Sequence, residues 1–265
     1  MTKQQQKDLG KLHRRRERER QGVFLVEGLR SVEAALEAQA LLEALLVTEA
    51  TAEGDRASAL VDRAETANVP VHRLAARDLE RITTVTSGQG IAAVARRVVQ
   101  PVGALAQATA LLALDRVQDP GNVGTLIRAA AWFGLDGVLA GPGTADFESP
   151  KVVRSAMGGL WDLTLSQADD LAAALADLRD AGWHVAAADL DGMPSATWVP
   201  PERTVLVLGS EAHGVSETVA AVVNERVTIR GQTGQRSGVE SLNVALAGGI
   251  LLHRWRTKRR RTGEK

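Results

Sequence analysis

The 265-residue sequence has no cysteine, no tyrosine and only three phenylalanines. Without cysteine the chain forms no disulfides and no thiolate metal site, as is usual in the cytoplasm, and we predict a cytoplasmic protein. The five histidines lack the spacing of zinc ligands, so we predict no metal. So few aromatic rings leave little surface for stacking bases. We assign the tryptophans to the core or to interfaces: Trp132, Trp161, Trp183, Trp198 and Trp255.

Several signatures of other protein classes are also absent. No stretch of about 18 uncharged apolar residues occurs, which predicts no membrane span. The basic N-terminus is not followed by an apolar segment, so we expect no secretory signal. G-x-G-x-x-G, G-x-x-x-x-G-K-[ST] and G-x-S-x-G do not occur. Rossmann dehydrogenases, P-loop NTPases and many serine hydrolases are therefore disfavoured.

The formal net charge is zero, with 32 basic and 32 acidic residues, but the charges are unevenly distributed. Residues 1–20 carry eight Lys and Arg against three acids, and residues 254–265 carry seven against one. The stretch between them has a net charge of −11. Two interpretations of the basic ends remain open: a surface that follows phosphates, or solvated helix ends.

The first hundred residues show alternating helix and strand patterns. We predict a charged helix over residues 3–20, a second helix from Leu29 and a short helix over 76–83, while residues 41–48 fit either a strand or a helix. Strands are predicted at 22–28, 69–74 and 90–98. The pattern indicates a smaller α/β domain over residues 1–100, then a linker at 101–109.

A second alternation occupies residues 110–265. An apolar strand at 110–117 precedes Pro120-Gly121-Asn122, which predicts a helix over about 123–133 with Asn122 as its N-cap. Strands and helices then alternate up to a final helix over about 240–256. Such alternation forms mostly parallel sheets covered on both faces, so the predicted fold class is α/β.

Glycines stand at the predicted strand ends. Leu208 and Gly209 end one apolar strand, and Gly214 follows five residues later. In parallel sheets ligands bind beyond the carboxyl ends of strands, where glycine lets a ligand approach the backbone. The two glycines would let backbone groups line an adenosine-type ligand. The alternative is that they only form tight turns.

Polar residues near these ends are candidates for chemistry: Asn122, Arg128, Glu211, Ser241 and Asn243. Arg128 lies off the apolar face of its helix and suits a phosphate, or it is simply solvated. A carboxylate at Glu211 could hold a helix N-terminus or orient an arginine. Asn243 is a poor helix former in a predicted apolar helix face, which indicates either a ligand contact or a buried cap.

Residues 111–256 resemble the SpoU/TrmH family of RNA ribose 2′-O-methyltransferases, within the SPOUT superfamily. Three motifs carry the resemblance in order: DPGNVGTLIRAA, LGSEAHGV, and VTIRG with ESLNVALAGGILL. Residues 14–36 and 86–95 resemble the smaller RNA-binding domain of many members. The resemblance implies a trefoil knot in the C-terminal domain, and a homodimer with the active site at its interface. It also implies S-adenosylmethionine held in the knot largely by backbone, at Leu208, Gly209, Gly214, Ile229 and Leu242.

The implied reaction is methyl transfer to a ribose 2′-hydroxyl, with Arg128 as the central catalytic residue. Because arginine is not deprotonated in proteins, we assign Arg128 to holding the adjacent phosphate and stabilising the developing alkoxide, with action as a base as the alternative. Asn122 would position Arg128 or the ribose. Glu211, Ser241 and Asn243 would complete the hydrogen-bond set.

The predicted substrate is structured RNA, and ribosomal RNA in particular. Two alternatives remain: a transfer-RNA ribose methyltransferase, and an RNA-binding homologue that has lost catalysis. The five intact polar residues argue against the second. The loop 231–240 is longer than is usual in the family, and its Arg236 either contacts RNA or lies in a loop without a fixed conformation.

Overall fold

Two α/β units make up the chain in the computed structural model, which describes residues 1–84, 89–231 and 241–263, with the backbone alone for 258–263. Unit 1 comprises Met1–Val98 and Asp146–Asp162, and unit 2 comprises Val99–Ala145 and Leu163–Lys265. A segment from the middle of the sequence thus belongs with the N-terminal part. The predicted linker residues, 101–109, lie inside unit 2.

Unit 1 contains four strands: β1 (Val23–Glu27), β2 (Leu42–Thr48), β3 (Val71–Leu74) and β4 (Ile91–Arg96). Its helices are α1 (Lys3–Leu9), α2 (Arg15–Gln21), α3 (Leu29–Glu37), α4 (Glu49–Ala52), α5 (Asp55–Thr66), α6 (Ala76–Glu80) and α8 (Pro150–Ala156). The sheet order is β1-β4-β2-β3. Because β4 is antiparallel to β1 and β2, and β3 is parallel to β2, the strands β1, β2 and β3 all end at one edge.

The core of unit 1 explains where its first helices break. Leu12 is fully buried and packs with Leu25, Leu46 and Val94, so the chain must turn inward between α1 and α2. The prediction of one helix over residues 3–20 was therefore wrong: charge pattern alone does not show that Leu12 joins the core. The predicted strands and the helix from Leu29 are confirmed, and of residues 41–48, which fitted either a strand or a helix, 42–48 form the strand β2.

Ion pairs bind the segment 146–162 to the rest of unit 1. Arg18 Nη2 lies 2.7 Å from Asp146 Oδ2, and Arg97 Nε lies 2.6 Å from Glu148 Oε2. The side chains of Arg18 and Glu148 are 3% and 0% exposed. Ion pairs removed from water are weakly screened, so these contacts fix the segment in place. In addition, α8 packs on β1.

Unit 2 contains the strands β5 (Val99–Gln100), β6 (Ala110–Asp115), β7 (Gly137–Ala140), β8 (Thr164–Gln167), β9 (His184–Pro194), β10 (Thr204–Gly209) and β11 (Glu225–Thr228). Its helices are α7 (Pro120–Trp132), α9 (Leu171–Asp180), α10 (Glu217–Ala220) and α11 (Val244–Gly263), with a 3₁₀ helix at Val102–Leu105. The sheet order is β11-β9-β10-β6-β7-β8-β5. All pairings between these strands are parallel, which confirms the predicted parallel sheet.

Helices cover both faces of this sheet because both faces of its central strands are apolar. Alternate residues of a strand point to opposite faces. On one face, Leu111 and Val205 pack in a cluster with Leu175 of α9 and Val219 of α10. On the other face, α11 packs against α7 and β10. The predicted α/β class is therefore confirmed.

The tryptophans differ in how deeply they are buried. Trp183, Trp198 and Trp255 are buried in the core, whereas Trp132 is 84% exposed. The final helix begins at Val244 rather than near residue 240. Residues 232–240, which include Arg236, lie outside the described residues, and the trefoil knot stays a prediction. None of the described helices is both long and apolar enough to span a bilayer.

Candidate active site

The loop after β10 returns tightly on the end of that strand. Ser210 and Gly214 exchange two backbone hydrogen bonds, at 3.1 and 2.8 Å. A Cβ placed on Gly209 would lie 2.1 Å from the Gly214 carbonyl carbon and 2.2 Å from the Val215 nitrogen. Only glycine fits at position 209, and Gly214 has a positive φ of 64°. Gly209 and Gly214 therefore do form a tight turn. The same turn exposes backbone groups at the end of β10, so the two alternatives are compatible.

Asp115, at the end of the neighbouring strand β6, holds the same loop. Its carboxylate is buried and accepts a hydrogen bond of 2.6 Å from the Ser216 amide. The next residue, Arg116, has a left-handed backbone with φ 58°. Sequence reasoning missed Asp115, although a carboxylate that ends an apolar strand is the same signal that pointed to Gly209.

The start of α7 differs from the prediction in a way that matters for Asn122. Asp119 is the N-cap, Pro120 follows at the first helical position, and Asp119 Oδ1 accepts the Asn122 amide at 2.9 Å. Aspartate before proline satisfies the helix terminus, so Asn122 as N-cap was wrong. The Asn122 side chain is consequently available for other contacts.

Those contacts join the three motifs into one hydrogen-bonded group. Asn122 Nδ2 donates to Glu211 Oε1, and Asn243 Nδ2 donates to Asn122 Oδ1 at 3.1 Å. Asn122 comes from α7, Glu211 from the loop after β10, and Asn243 from the residue before α11. We call these three residues the amide–carboxylate group. Glu211 contacts an amide, rather than the helix terminus or arginine that the sequence allowed.

Asn243 caps the last helix. It precedes α11, and its Oδ1 accepts the Ala245 and Leu246 amides at 3.0 and 3.2 Å. Asn243 is therefore a helix cap, but an exposed one rather than the buried cap considered above. The cap leaves its Nδ2 directed to Asn122. One residue thus starts the helix and completes the group.

Helix α11 approaches α7 and β10 closely at Gly248. A Cβ on Gly248 would lie 2.4 Å from Leu126 of α7 and 2.7 Å from Leu208 of β10. A pocket of about 710 Å³ opens beside the crossing. Its walls include Asn122, Thr125, Asn243, Leu246 and His253, among others. The glycine pair of the third motif, Gly248-Gly249, is the sequence signal for this crossing.

The remaining predicted site residues lie outside the amide–carboxylate group. Arg128 is exposed on α7 and makes no hydrogen bond or ion pair within the described parts of the chain. Six residues of helix rotate it about 120° from Asn122. Ser241 and Leu242 are exposed in the three residues before α11, and the half-buried Ile229 follows β11 directly. Across residues 1–84, 89–231 and 241–263 no set of three or more His, Asp or Glu could hold a metal.

Fold and site together define a class: a parallel α/β sheet with backbone loops and amides gathered beyond the carboxyl ends of its central strands. Residues 109–253 match the SpoU rRNA Methylase family, and residues 3–93 match the MRM3-like substrate binding domain. The chain belongs to the SpoU rRNA methylase family. The family resemblance read from the three motifs is confirmed.

Relatives match over almost the whole chain. The sequence is 34% identical over 256 residues, 96% of each chain, to 23S rRNA (guanosine(2553)-2′-O)-methyltransferase RlmP of Bacillus subtilis (strain 168). A TrmH-family structure from Porphyromonas gingivalis has 36% identity and a TM-score of 0.83, covering 97% of this chain and 99% of that one. The AdoMet-bound rRNA methyltransferase structure from Sinorhizobium meliloti has 26% identity and a TM-score of 0.80, covering 100% and 97%.

Proposed function

We propose that this protein transfers a methyl group from S-adenosylmethionine to a ribose 2′-hydroxyl of ribosomal RNA. The observation that carries the proposal is the amide–carboxylate group, because it joins the three family motifs beyond the ends of β6 and β10. Relatives named as rRNA methyltransferases support ribosomal RNA over transfer RNA. Such a substrate also supports a cytoplasmic location.

The residues present fit the cofactor. Beyond β10 the chain offers the backbone of residues 209–214, and Ile229 and Leu242 offer apolar side chains at the ends of their segments. Backbone amides and carbonyls suit adenine and ribose edges, and apolar side chains suit the ring faces. We assign Leu208, Gly209, Gly214, Ile229 and Leu242 to this role. The bound cofactor would supply an electrophilic methyl group, so the protein need only bind, orient and assist proton loss.

The protein's own part of the chemistry falls to polar residues. Arg128, exposed and without an ion pair in the described chain, holds the phosphate beside the target ribose and stabilises the developing alkoxide. Asn122 is fixed from both sides by Glu211 and Asn243, so its amide positions the ribose. Ser241, three residues before α11 begins, completes the set. Base action by Arg128 remains the alternative.

We further propose a homodimer that covers the exposed face of α7 and α11. Trp132, Leu242 and Leu246 are 84%, 41% and 54% exposed, an unusual set of large apolar side chains to leave in water. Arg128 lies one helical turn before Trp132, on the same side of α7. A dimer that buries Trp132 therefore brings Arg128 into the interface, where it could serve the partner's amide–carboxylate group.

Unit 1 is proposed to recognise the RNA. Its match to a substrate binding domain supports this role, as do the exposed Arg14 and Arg16 at the start of α2. As functional domains we propose residues 1–100 for recognition and 110–265 for methyl transfer, joined by 101–109. The exception is the segment 146–162, which belongs to unit 1 and which we assign to recognition.

The test is methyl transfer from labelled S-adenosylmethionine to separated ribosomal and transfer RNA pools. We expect label in ribosomal RNA, a loss of roughly 10²–10³-fold in kcat for Arg128→Ala, and retained RNA binding. Arg63→Ala, at an exposed arginine of α5, is the matched control. Label in transfer RNA alone would establish the transfer-RNA alternative. RNA binding with neither label nor cofactor binding would establish the catalytically silent homologue.

A further inference from the structure

Unit 1 has a pocket of about 620 Å³ that none of the chemistry above uses. Glu27 and Gly28 line it where β1 ends, Thr48 and Thr51 where β2 ends, and Gly90 where β4 begins. Strands β1 and β2 run in the same direction, because both are antiparallel to β4. The pocket therefore lies beyond the carboxyl ends of parallel strands, where α/β folds bind ligands, and its size suits a small molecule.

The N-terminus of α3 forms one wall. This nine-residue helix has Gly28 as its N-cap, without a side-chain cap, and the Leu29 amide donates to Gln89 Oε1 at 2.8 Å. The Arg30 and Ser31 amides have no acceptor among the residues the structure describes. Free amides at a helix N-terminus attract phosphate. The exposed Arg30 side chain, which makes no ion pair in the described chain, adds a full positive charge.

Ser31 is a second and independent sign of a ligand. It lines the pocket and is only 4% exposed, yet its hydroxyl makes no hydrogen bond in the described parts of unit 1. Its Oγ is not one of the fully enclosed side-chain atoms without a partner in the described chain, so the hydroxyl faces the open space of the pocket. A ligand in the pocket would supply the missing partner.

A buried ion pair forms another part of the lining. The Glu27 carboxylate, 3% exposed, accepts Arg154 Nη1 at 2.6 Å and the Thr84 amide and hydroxyl at 2.9 and 2.8 Å. Carboxylate and guanidinium neutralise each other and hold each other in place. The exposed Glu80 carboxylate at the pocket disfavours a ligand with several phosphates.

Apolar side chains complete the lining. Leu79 and Ile91 are buried, and Met157 is 37% exposed. A single nucleotide has the matching chemistry: two apolar base faces, polar base edges and one phosphate charge. No aromatic residue is among the described lining residues, so the base would be held by aliphatic packing rather than by ring stacking.

We propose that this pocket receives one unstacked nucleotide of the RNA substrate, with its phosphate at Arg30 and the start of α3 and its base against Leu79 and Met157. The inference rests on the proposed function, in that the protein must bind RNA. It assigns to unit 1 a recognition site for a nucleotide other than the one that is methylated. Because the bound nucleotide must leave its stack, single-stranded or bulged positions are favoured over a duplex.

The experiment measures binding of a ribosomal RNA transcript, without cofactor, to the full chain and to four variants at exposed positions. Arg30→Gln removes the phosphate contact, and Ala76→Trp fills the pocket from an exposed lining residue. Arg63→Gln and Ala50→Trp make the same changes at exposed residues outside the pocket lining. We expect about tenfold weaker RNA binding for each pocket variant, and a salt slope lower by about one for Arg30→Gln.

Further readouts separate this proposal from others. For the pocket variants we expect a raised KM for RNA, with kcat at saturating RNA and affinity for S-adenosylmethionine unchanged. Unchanged RNA affinity in both pocket variants, or an equal loss in the controls, would overturn the proposal. So would tight binding of a free mononucleotide that leaves RNA affinity unaffected, and so would a wild-type chain that binds no RNA. A chain that binds RNA through the pocket but transfers no methyl group would refute only the proposed function.

Discussion

Replacing Gly209 with alanine tests the cofactor site most directly. The added Cβ would lie 2.1 Å from the Gly214 carbonyl carbon, whereas ordinary contact begins at 3.4 Å. The loop over residues 210–214 must therefore move by roughly 1.3 Å, because backbone atoms cannot rotate away as a flexible side chain does. That movement strains the two hydrogen bonds between Ser210 and Gly214.

The magnitude follows from these two effects. Overpacking of this kind costs about 1–3 kcal/mol. Losing the loop's hydrogen bonds adds about 0.5–1.5 kcal/mol for each. The total, roughly 2–6 kcal/mol, falls on the loop proposed to line the cofactor rather than on the buried sheet. Since each 1.4 kcal/mol is tenfold, we expect at least about a 30-fold loss of affinity for S-adenosylmethionine.

The assay is calorimetric titration of S-adenosylmethionine into the wild type, Gly209→Ala and the control Gly103→Ala. At Gly103, in the 3₁₀ helix, an added Cβ meets nothing within 4 Å. Circular dichroism melts would show whether unit 2 stays folded. Affinity of the folded Gly209→Ala protein within about threefold of wild type would refute the assignment of this loop to the cofactor.

Three further predictions concern stability and charge. Glu148→Gln should lower the free energy of unfolding by about 2–4 kcal/mol in denaturant titrations. The loss is smaller than for a fully buried pair because Arg97 keeps 28% exposure. An unchanged free energy of unfolding would contradict the role of this ion pair in holding segment 146–162 in place. Burial acts to raise the pKa of Asp136, but hydrogen bonds from Thr109 and Ala110 outweigh it and hold the pKa below its ordinary value. The stability that Asp136 contributes is therefore present above about pH 4 and is lost as the pH falls. Asp136→Asn should flatten the acid limb of a plot of the free energy of unfolding against pH. An unchanged acid limb would refute this assignment. Replacing the exposed Arg14 and Arg16 together with Gln should weaken RNA binding and lower its salt slope by up to about two, whereas an unchanged slope would show that these arginines are merely solvated.

The last prediction uses substitutions because the structure rules out a simpler test. Deleting residues 1–20 would also remove the basic charge, but it would take Leu12 out of the core and Arg18 from its contacts with the Leu12 carbonyl and Asp146. Loss of RNA binding after such a deletion would then report on folding as much as on charge. The charge pattern identified the basic segment. Burial then distinguishes Arg18, which is structural, from the exposed Arg14 and Arg16.

The sequence by itself determined the alternation of strands and helices, the α/β class and the family, because these depend on local periodicity and on motifs that can be read in order. It also identified Asn122, Glu211 and Asn243 as polar residues at element ends. The placement of Gly209 at a strand end needed only the apolar run before it. Each of these inferences rests on residues close together in the chain.

Only the tertiary structure decided which residues meet. Asp119 took the cap that was predicted for Asn122, and this freed the Asn122 side chain for Glu211, 89 residues away, and for Asn243, 121 residues away. The return of residues 146–162 to unit 1 depends on ion pairs from Arg18 and Arg97, at sequence separations of 128 and 51. Local patterns carry no record of such pairings, because a buried carboxylate and its arginine have the same composition as two solvated charges until the fold brings them together.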